Sequence, residues 1–218
     1  WMIRMGLFLY DHLGGRKKLP GSKGLNLQTH PTGGPLKDSL KKGFMYSDCW
    51  VQDSRLVVLN CMDVEARGGT VLPRTRCTDA QRSDENWSVE PTDTVSGKTT
   101  RVYTRAVINA AGPWIDAVNA RLGEPTRLIG GAKGSHILLD HDELLRQLDG
   151  RMIYFEADDG RICLVFPYNG RALVGSTDQP AADPDNVRCD DDEVEYFLDS
   201  LRKLLPGLTF SRDQILYR

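Results

Sequence analysis

Apolar residues recur along this chain at helical spacing in some stretches and in alternation in others, and the change of period marks its elements. The clearest helix lies near the end, where Val194, Phe197, Leu198, Leu201, Leu204 and Leu205 share one face. Acidic residues crowd its start at 190–193, Arg202 and Lys203 sit in its last turns, and Pro206-Gly207 stops it. A second helix is expected over 53–67. Its apolar residues Leu56, Val57, Leu59, Met62, Val64 and Ala66 leave little polar face, so it should be largely buried before Gly68-Gly69 ends it. The first thirteen residues wrap bulky apolar side chains around Arg4, Asp11 and His12, predicting a short helix that packs into a core and ends at Gly14-Gly15.

Short alternating runs at 70–72, 74–80, 87–91 and 100–104, separated by polar turns at 83–86 and 95–98, read as an antiparallel meander. Residues 106–109 read as a buried strand entering a turn of small residues, with Pro113 opening a helix that runs to Leu122. A second strand region covers 135–139, 152–155, 162–167 and 172–176, with Asp158-Asp159-Gly160 and Asn169-Gly170 as turns. Strands and helices without regular βαβ alternation predict an α+β fold, a mixed and largely antiparallel sheet flanked by helices.

The 218 residues carry a net charge of -2, with 40% hydrophobic and 27% charged residues, which excludes a general affinity for nucleic acid. No apolar run is long enough to cross a bilayer, and no signal peptide is visible. Five scattered cysteines argue against a disulfide framework or a zinc site and for a reducing, cytosolic compartment. Residues 1–46 hold eight Lys and Arg against two acids, so the opening segment has a second reading as a basic apolar stretch resting on an anionic membrane. A start at Trp1 and an end at Tyr217-Arg218 lead us to expect an internal piece of a longer sequence.

Candidate chemistry is sparse. The bend at Ala110, Ala111 and Gly112 offers close backbone approach and a helix N-terminus to an anion, and it reads equally as a tight turn. Asp140-His141-Asp142-Glu143 is better explained by Asp142 capping a short helix through Leu148 than by a metal. Asp190-Asp191-Asp192-Glu193 is a helix-start signature, and no glycine pair belongs to a phosphate-cradling pattern. Lys133-Gly134-Ser135-His136 places a histidine at a strand start beside a cation, a natural meeting place for a phosphorylated substrate and also a common structural position. Gly175-Ser176-Thr177-Asp178 closes a strand with hydroxyls and a carboxylate and could simply cap a turn.

In this order, Trp1-Met2-Ile3-Arg4 with Tyr10-Asp11, Tyr46-Ser47-Asp48-Cys49-Trp50, Asn109 through Trp114, Lys133 through His136, and Gly175 through Asp178 followed by Asp183-Pro184 resemble one family. It is the FAD-dependent glycerol-3-phosphate dehydrogenases, quinone-linked flavoproteins of the D-amino-acid-oxidase-like superfamily. Two departures stand out: Ile129-Gly130-Gly131-Ala132 precedes Lys133, and Ser176 replaces a more usual threonine.

The resemblance implies one compact unit over 1–218, in which 1–46 and 124–218 belong mainly to a substrate-side domain and 47–123 mainly to a returning piece of the FAD-binding domain. It implies oxidation of sn-glycerol 3-phosphate to dihydroxyacetone phosphate, with electrons passing through FAD to a membrane quinone. Cofactor contacts fall on Cys77, Ala110, Ala111, Gly112 and Trp114. His136 serves as base or hydrogen-bond partner in the substrate pocket, joined there by Lys133 and Thr177, with no metal. The resemblance further implies FAD in the full-length enzyme but not in this stretch alone, a cytoplasmic location that admits peripheral membrane attachment, and compatibility with a homodimer. The competing readings are an oxidase of the same superfamily, or a non-catalytic module that binds a phosphate-bearing ligand or a partner.

Overall fold

A computed structural model describes residues 1–13 and 18–218. The expected helix stop at Gly14-Gly15 and the basic residues Arg16 and Lys17 lie outside the described residues. In chain order the helices and strands are α1 (Met2–Leu13), β1 (Lys23–Asn26), β2 (Lys42–Met45), α2 (Asp53–Ala66), β3 (Thr75–Arg82), β4 (Trp87–Asp93), β5 (Val102–Thr104), α3 (Ile115–Arg121), β6 (Ala132–Lys133), β7 (His136–Leu139), α4 (Asp142–Leu148), β8 (Ile153–Glu156), β9 (Ile162–Tyr168), β10 (Arg171–Gly175), β11 (Gln179–Pro180), α5 (Asp191–Leu204) and β12 (Ile215–Tyr217). The α+β class holds, and every strand pairing among the described residues is antiparallel. Where one compact unit was expected, contacts divide the chain into two: Trp1–Cys49 with Ala132–Arg218, and Trp50–Gly131.

The first unit holds the core. Its main sheet runs β12-β7-β10-β9-β8. Strand alternation turns Ile137, Leu139, Val165, Ala172 and Val174 to one face, and the register sets Val174 opposite both Ile137 and Val165. Leu144 and Leu148 of α4 and Val194, Phe197, Leu198, Leu201 and Leu204 of α5 close over that face. Each fully buried Leu or Phe contributes about 1.5–3 kcal/mol, so this layer fixes the unit. The opposite face carries His136 with half-buried Leu138, Leu164, Phe166 and Leu173. The Asn169-Gly170 hairpin forms as expected, with φ of 49° and 75° at its two central residues, the left-handed pair that matches strand twist.

Two expectations fail in this unit. Helix α1 forms, yet it buries no residue instead of packing into a core. The face it turns toward the chain is polar, Arg4 donating to Ser22 Oγ at 3.2 Å and Asp11 accepting from that hydroxyl at 2.6 Å, which leaves the apolar side chains outward. The cap of α4 is His141 in place of Asp142: its Nδ1 accepts from the Leu144 N–H at 3.2 Å and its Nε2 donates to the Thr209 carbonyl at 3.2 Å. An imidazole does the capping work expected of a carboxylate.

In the second unit, β3, β4 and β5 form the expected meander. Residues 70–72 form no strand, since Gly69 and Pro73 confine them to three positions, too few to sustain a ladder. Residues 106–109 are irregular too, and Ile108 is 89% exposed. Branched side chains favour extension, but no strand among the described residues pairs with this run, and without a partner its backbone builds no sheet. Helix α2 ends in Gly68 at φ 82°, as its glycine pair predicts, but none of its residues is buried. Within this unit only Ala80 is buried, so the apolar faces of α2 find no layer to pack on.

Candidate functional site

The chemistry-bearing residues fall into two groups, one in each unit. In the first unit His136 opens β7 opposite Gly175, the last residue of β10. The imidazole lies directly over Gly175: a Cβ built there would stand 2.1 Å from His136 Cδ2 and 2.5 Å from Nε2. Only glycine leaves room for the ring at this register. The other side of the ring is open to solvent, and neither ring nitrogen meets a hydrogen-bond partner among the described residues. Loss of solvent on the packed side pushes the His136 pKa below its ordinary value of 6.5.

Three residues upstream, Lys133 points into a carboxylate cluster. Its Nζ donates to Glu193 Oε2 at 2.8 Å, to Asp190 Oδ2 at 3.1 Å and to the Arg188 carbonyl. All three ammonium donors are engaged. With one cation against two carboxylates, this cluster as arranged does not attract a phosphate. Thr177 is 4% exposed, and its hydroxyl accepts from the Ser135 N–H at 3.0 Å while donating to Glu193 Oε1 at 2.6 Å. Glu193 is likewise 4% exposed and also accepts from the Asp190 N–H at 2.8 Å. Burial opposes its ionisation, but hydrogen bonds from Lys133, Thr177, the Asp190 backbone and Ser135 prevail and hold its pKa at about 2.

In the second unit Asn109 organises the bend. Its Nδ2 donates to the Ile115 carbonyl at 3.0 Å and to Asn119 Oδ1 at 2.6 Å, while its Oδ1 accepts from the Ala111 N–H at 3.1 Å. Asp116 then draws residues 126–129 back onto α3, accepting from Thr126 Oγ1 at 2.6 Å, Leu128 N–H at 2.9 Å and Ile129 N–H at 3.0 Å. Those bonds lower its pKa. At Gly112 φ is 56°, and a Cβ there would meet nothing within 4 Å, so the backbone faces open space. The N–H groups of Ala110 and Gly112 find no acceptor among the described residues, whereas the Trp114 N–H is used by the Ala111 carbonyl at 3.1 Å. Cys77 is exposed on β3 at a bulge, opposite Pro91, which has no N–H to offer.

The structure therefore brings Lys133, His136 and Thr177 into one neighbourhood, and Ala110, Ala111, Gly112 and Trp114 into another. Residue-level reading missed Glu193, Ser135 and Asn109. Asp190 and Glu193 signal a helix start locally, and nothing in the sequence links that start to a lysine sixty residues earlier. Asn109 had a legible signal, since a single amide among small residues at a turn is a ready-made brace.

Comparison with known proteins gives a consistent result. A family model described as FAD dependent oxidoreductase matches residues 15–218. The aerobic glycerol-3-phosphate dehydrogenase of Escherichia coli (strain K12) is 40% identical over 205 residues, covering 91% of this chain and 39% of that protein. The D-erythritol 1-phosphate dehydrogenase of Brucella abortus (strain 2308) is 39% identical over 208 residues, 93% of this chain and 40% of its own length. Among solved structures, the glycerol-3-phosphate dehydrogenase from Bacillus halodurans complexed with FAD superposes with a TM-score of 0.72 at 25% identity, over 88% of this chain and 39% of that one. The chain spans about 40% of the length of the curated relatives it matches.

Proposed function

The chain belongs to the family of FAD dependent oxidoreductases, and from that premise we propose that the protein carrying it oxidises the secondary hydroxyl of sn-glycerol 3-phosphate to give dihydroxyacetone phosphate. The observation that carries this reading is the His136 imidazole, seated on Gly175 with its nitrogens uncommitted. Held below its ordinary pKa, the ring is neutral near pH 7 and has a lone pair for the proton of an alcohol. The relatives named as glycerol-3-phosphate dehydrogenases supply the substrate.

The second unit's bend fits a flavin dinucleotide. Ala110 and Gly112 present unpaired N–H groups, the space a side chain would fill at Gly112 is open, and the broken ladder leaves the Cys77 backbone available. Ala110, Ala111, Gly112, Trp114 and Cys77 would hold FAD, largely through backbone. When bound, FAD supplies the two-electron acceptor for the carbon–hydrogen bond of the substrate. Asn109 keeps the bend in shape, and His136 takes up the hydroxyl proton and orients the carbinol carbon. Lys133 contributes to the substrate side through its loop, its charge being already balanced by Asp190 and Glu193.

Electrons pass on to a quinone in this reading, with oxygen as the competing acceptor; peroxide formation by the FAD-loaded protein would favour the oxidase. No helix among the described residues is long and apolar enough to cross a membrane. Peripheral attachment is supported by the solvent-facing apolar side chains of α1, in a segment that carries Arg4, Lys18 and Lys23.

The identity with an erythritol-phosphate enzyme favours a second reading in which the substrate is a longer polyol phosphate. Dye-linked turnover of the full-length, FAD-loaded protein on both substrates decides: a higher kcat/KM for glycerol 3-phosphate is expected, and the reverse order would move the assignment to the tetritol. His136→Asn is expected to lower kcat/KM by roughly 10²-fold or more, and unchanged kcat and KM would remove His136 from the reaction.

A further inference from the structure

The strand pair that presents His136 is interrupted beside it. β7 and β10 pair as far as His136 and Gly175, and β6 and β11 resume the antiparallel run with Lys133 opposite Gln179. Between the two ladders, side chains replace backbone bonds. The Thr177 hydroxyl takes the Ser135 N–H, and Glu193 in turn takes the Thr177 hydroxyl. This is a demanding arrangement, because a buried carboxylate gives up its hydration and must find donors within the protein. Starting a helix does not require it, since acidic residues perform that task at the surface. The buried chain of bonds ends at the amide next to His136.

We propose that Thr177 and Glu193 are positioning residues that fix the Ser135 amide, and through it the backbone from which His136 projects. The inference rests on the reading of His136 as the substrate-facing group. It gives Thr177 a role through Ser135 in place of direct substrate contact, consistent with a hydroxyl engaged at both ends. Without the tie, the Ser135 amide loses its bond across the break, and the backbone that holds the ring over Gly175 is loosened.

The test uses the full-length protein with labelled histidines, the His136 imidazole signal being assigned by its loss in His136→Asn. Thr177→Val removes the hydroxyl at nearly constant volume, and Thr177→Ser keeps it. Thr177→Val is expected to move and broaden the His136 imidazole signal and to lower kcat on the order of 10-fold to 100-fold with little change in KM. Thr177→Ser should restore both, which a general packing role for the threonine methyl would not. If Thr177→Val fails to fold, Glu193→Gln, which keeps the shape and loses the charge, is expected to move the same signal. A folded variant of either kind with the His136 signal unmoved overturns the inference. Unchanged kinetics in His136→Asn would sink the underlying reading instead, while the imidazole signal still decides whether the tie positions the ring.

Discussion

A methyl group at Gly175 has nowhere to go but into the imidazole of His136, 2.1 Å away. Gly175→Ala should therefore displace the ring and leave the hydrophobic layer on the other face of the sheet intact. Because misplacement by about an ångström can cost 10²-fold in rate, a loss of that order in kcat is expected while the melting temperature changes little. A fully active Gly175→Ala enzyme would mean that the ring position is irrelevant to turnover. The same packing sets a pH dependence. A folded-state pKa below 6.5 keeps His136 neutral and able to accept a proton further into acid than a free histidine. The acid limb of kcat/KM is accordingly expected below 6.5, and a limb at or above that value would assign the titration to another group. At this scale the sequence was partly legible. It marked residues 133–136 and 175–178 as separate places of interest, but only the strand register makes Gly175 the seat of His136.

Helix α5 links the core to the candidate site, because its apolar face closes the sheet while its first turn supplies Glu193. The Glu193 pKa, lowered from 4.5 to about 2, makes the helix start acid-sensitive. Since the folded-state value is the lower one, the contribution is complete above pH 4.5 and disappears as pH falls toward about 2. A shift of that size is worth roughly 3 kcal/mol. Urea unfolding of wild type and Glu193→Gln should therefore differ by about that amount near neutrality and converge in strong acid. A difference that stays constant across this range would show that the carboxylate charge contributes nothing to folding. Element by element, the sequence pattern was most reliable where each segment met a partner. The Asn169-Gly170 hairpin and the face of α5 were readable because local chemistry and tertiary packing agree. Residues 106–109 and the apolar circumference of α2 were misread because periodicity reports an appetite for burial, and the presence of a neighbouring layer decides whether it is met.

Across the whole chain, the two units hold very different shares of the apolar packing. One closes α4 and α5 over a five-stranded sheet, while the other buries only Ala80 among its described residues. This contrast bears on cofactor retention. The bend and Cys77 offer an FAD mainly backbone groups, and the 218 residues contain no G-x-G-x-x-G pattern to seat a pyrophosphate at a helix start. Polar contacts of that kind give little net free energy unless a surrounding site excludes water. These 218 residues expressed alone should therefore emerge colourless and remain so after incubation with FAD and desalting, whereas the full-length protein should be yellow. Visible absorbance at one flavin per chain would place the complete cofactor-holding surface within these residues and would require contacts beyond the bend and Cys77. A colourless 218-residue chain beside a yellow full-length protein would assign the bend a share of a larger flavin site, the arrangement that the proposed reaction requires.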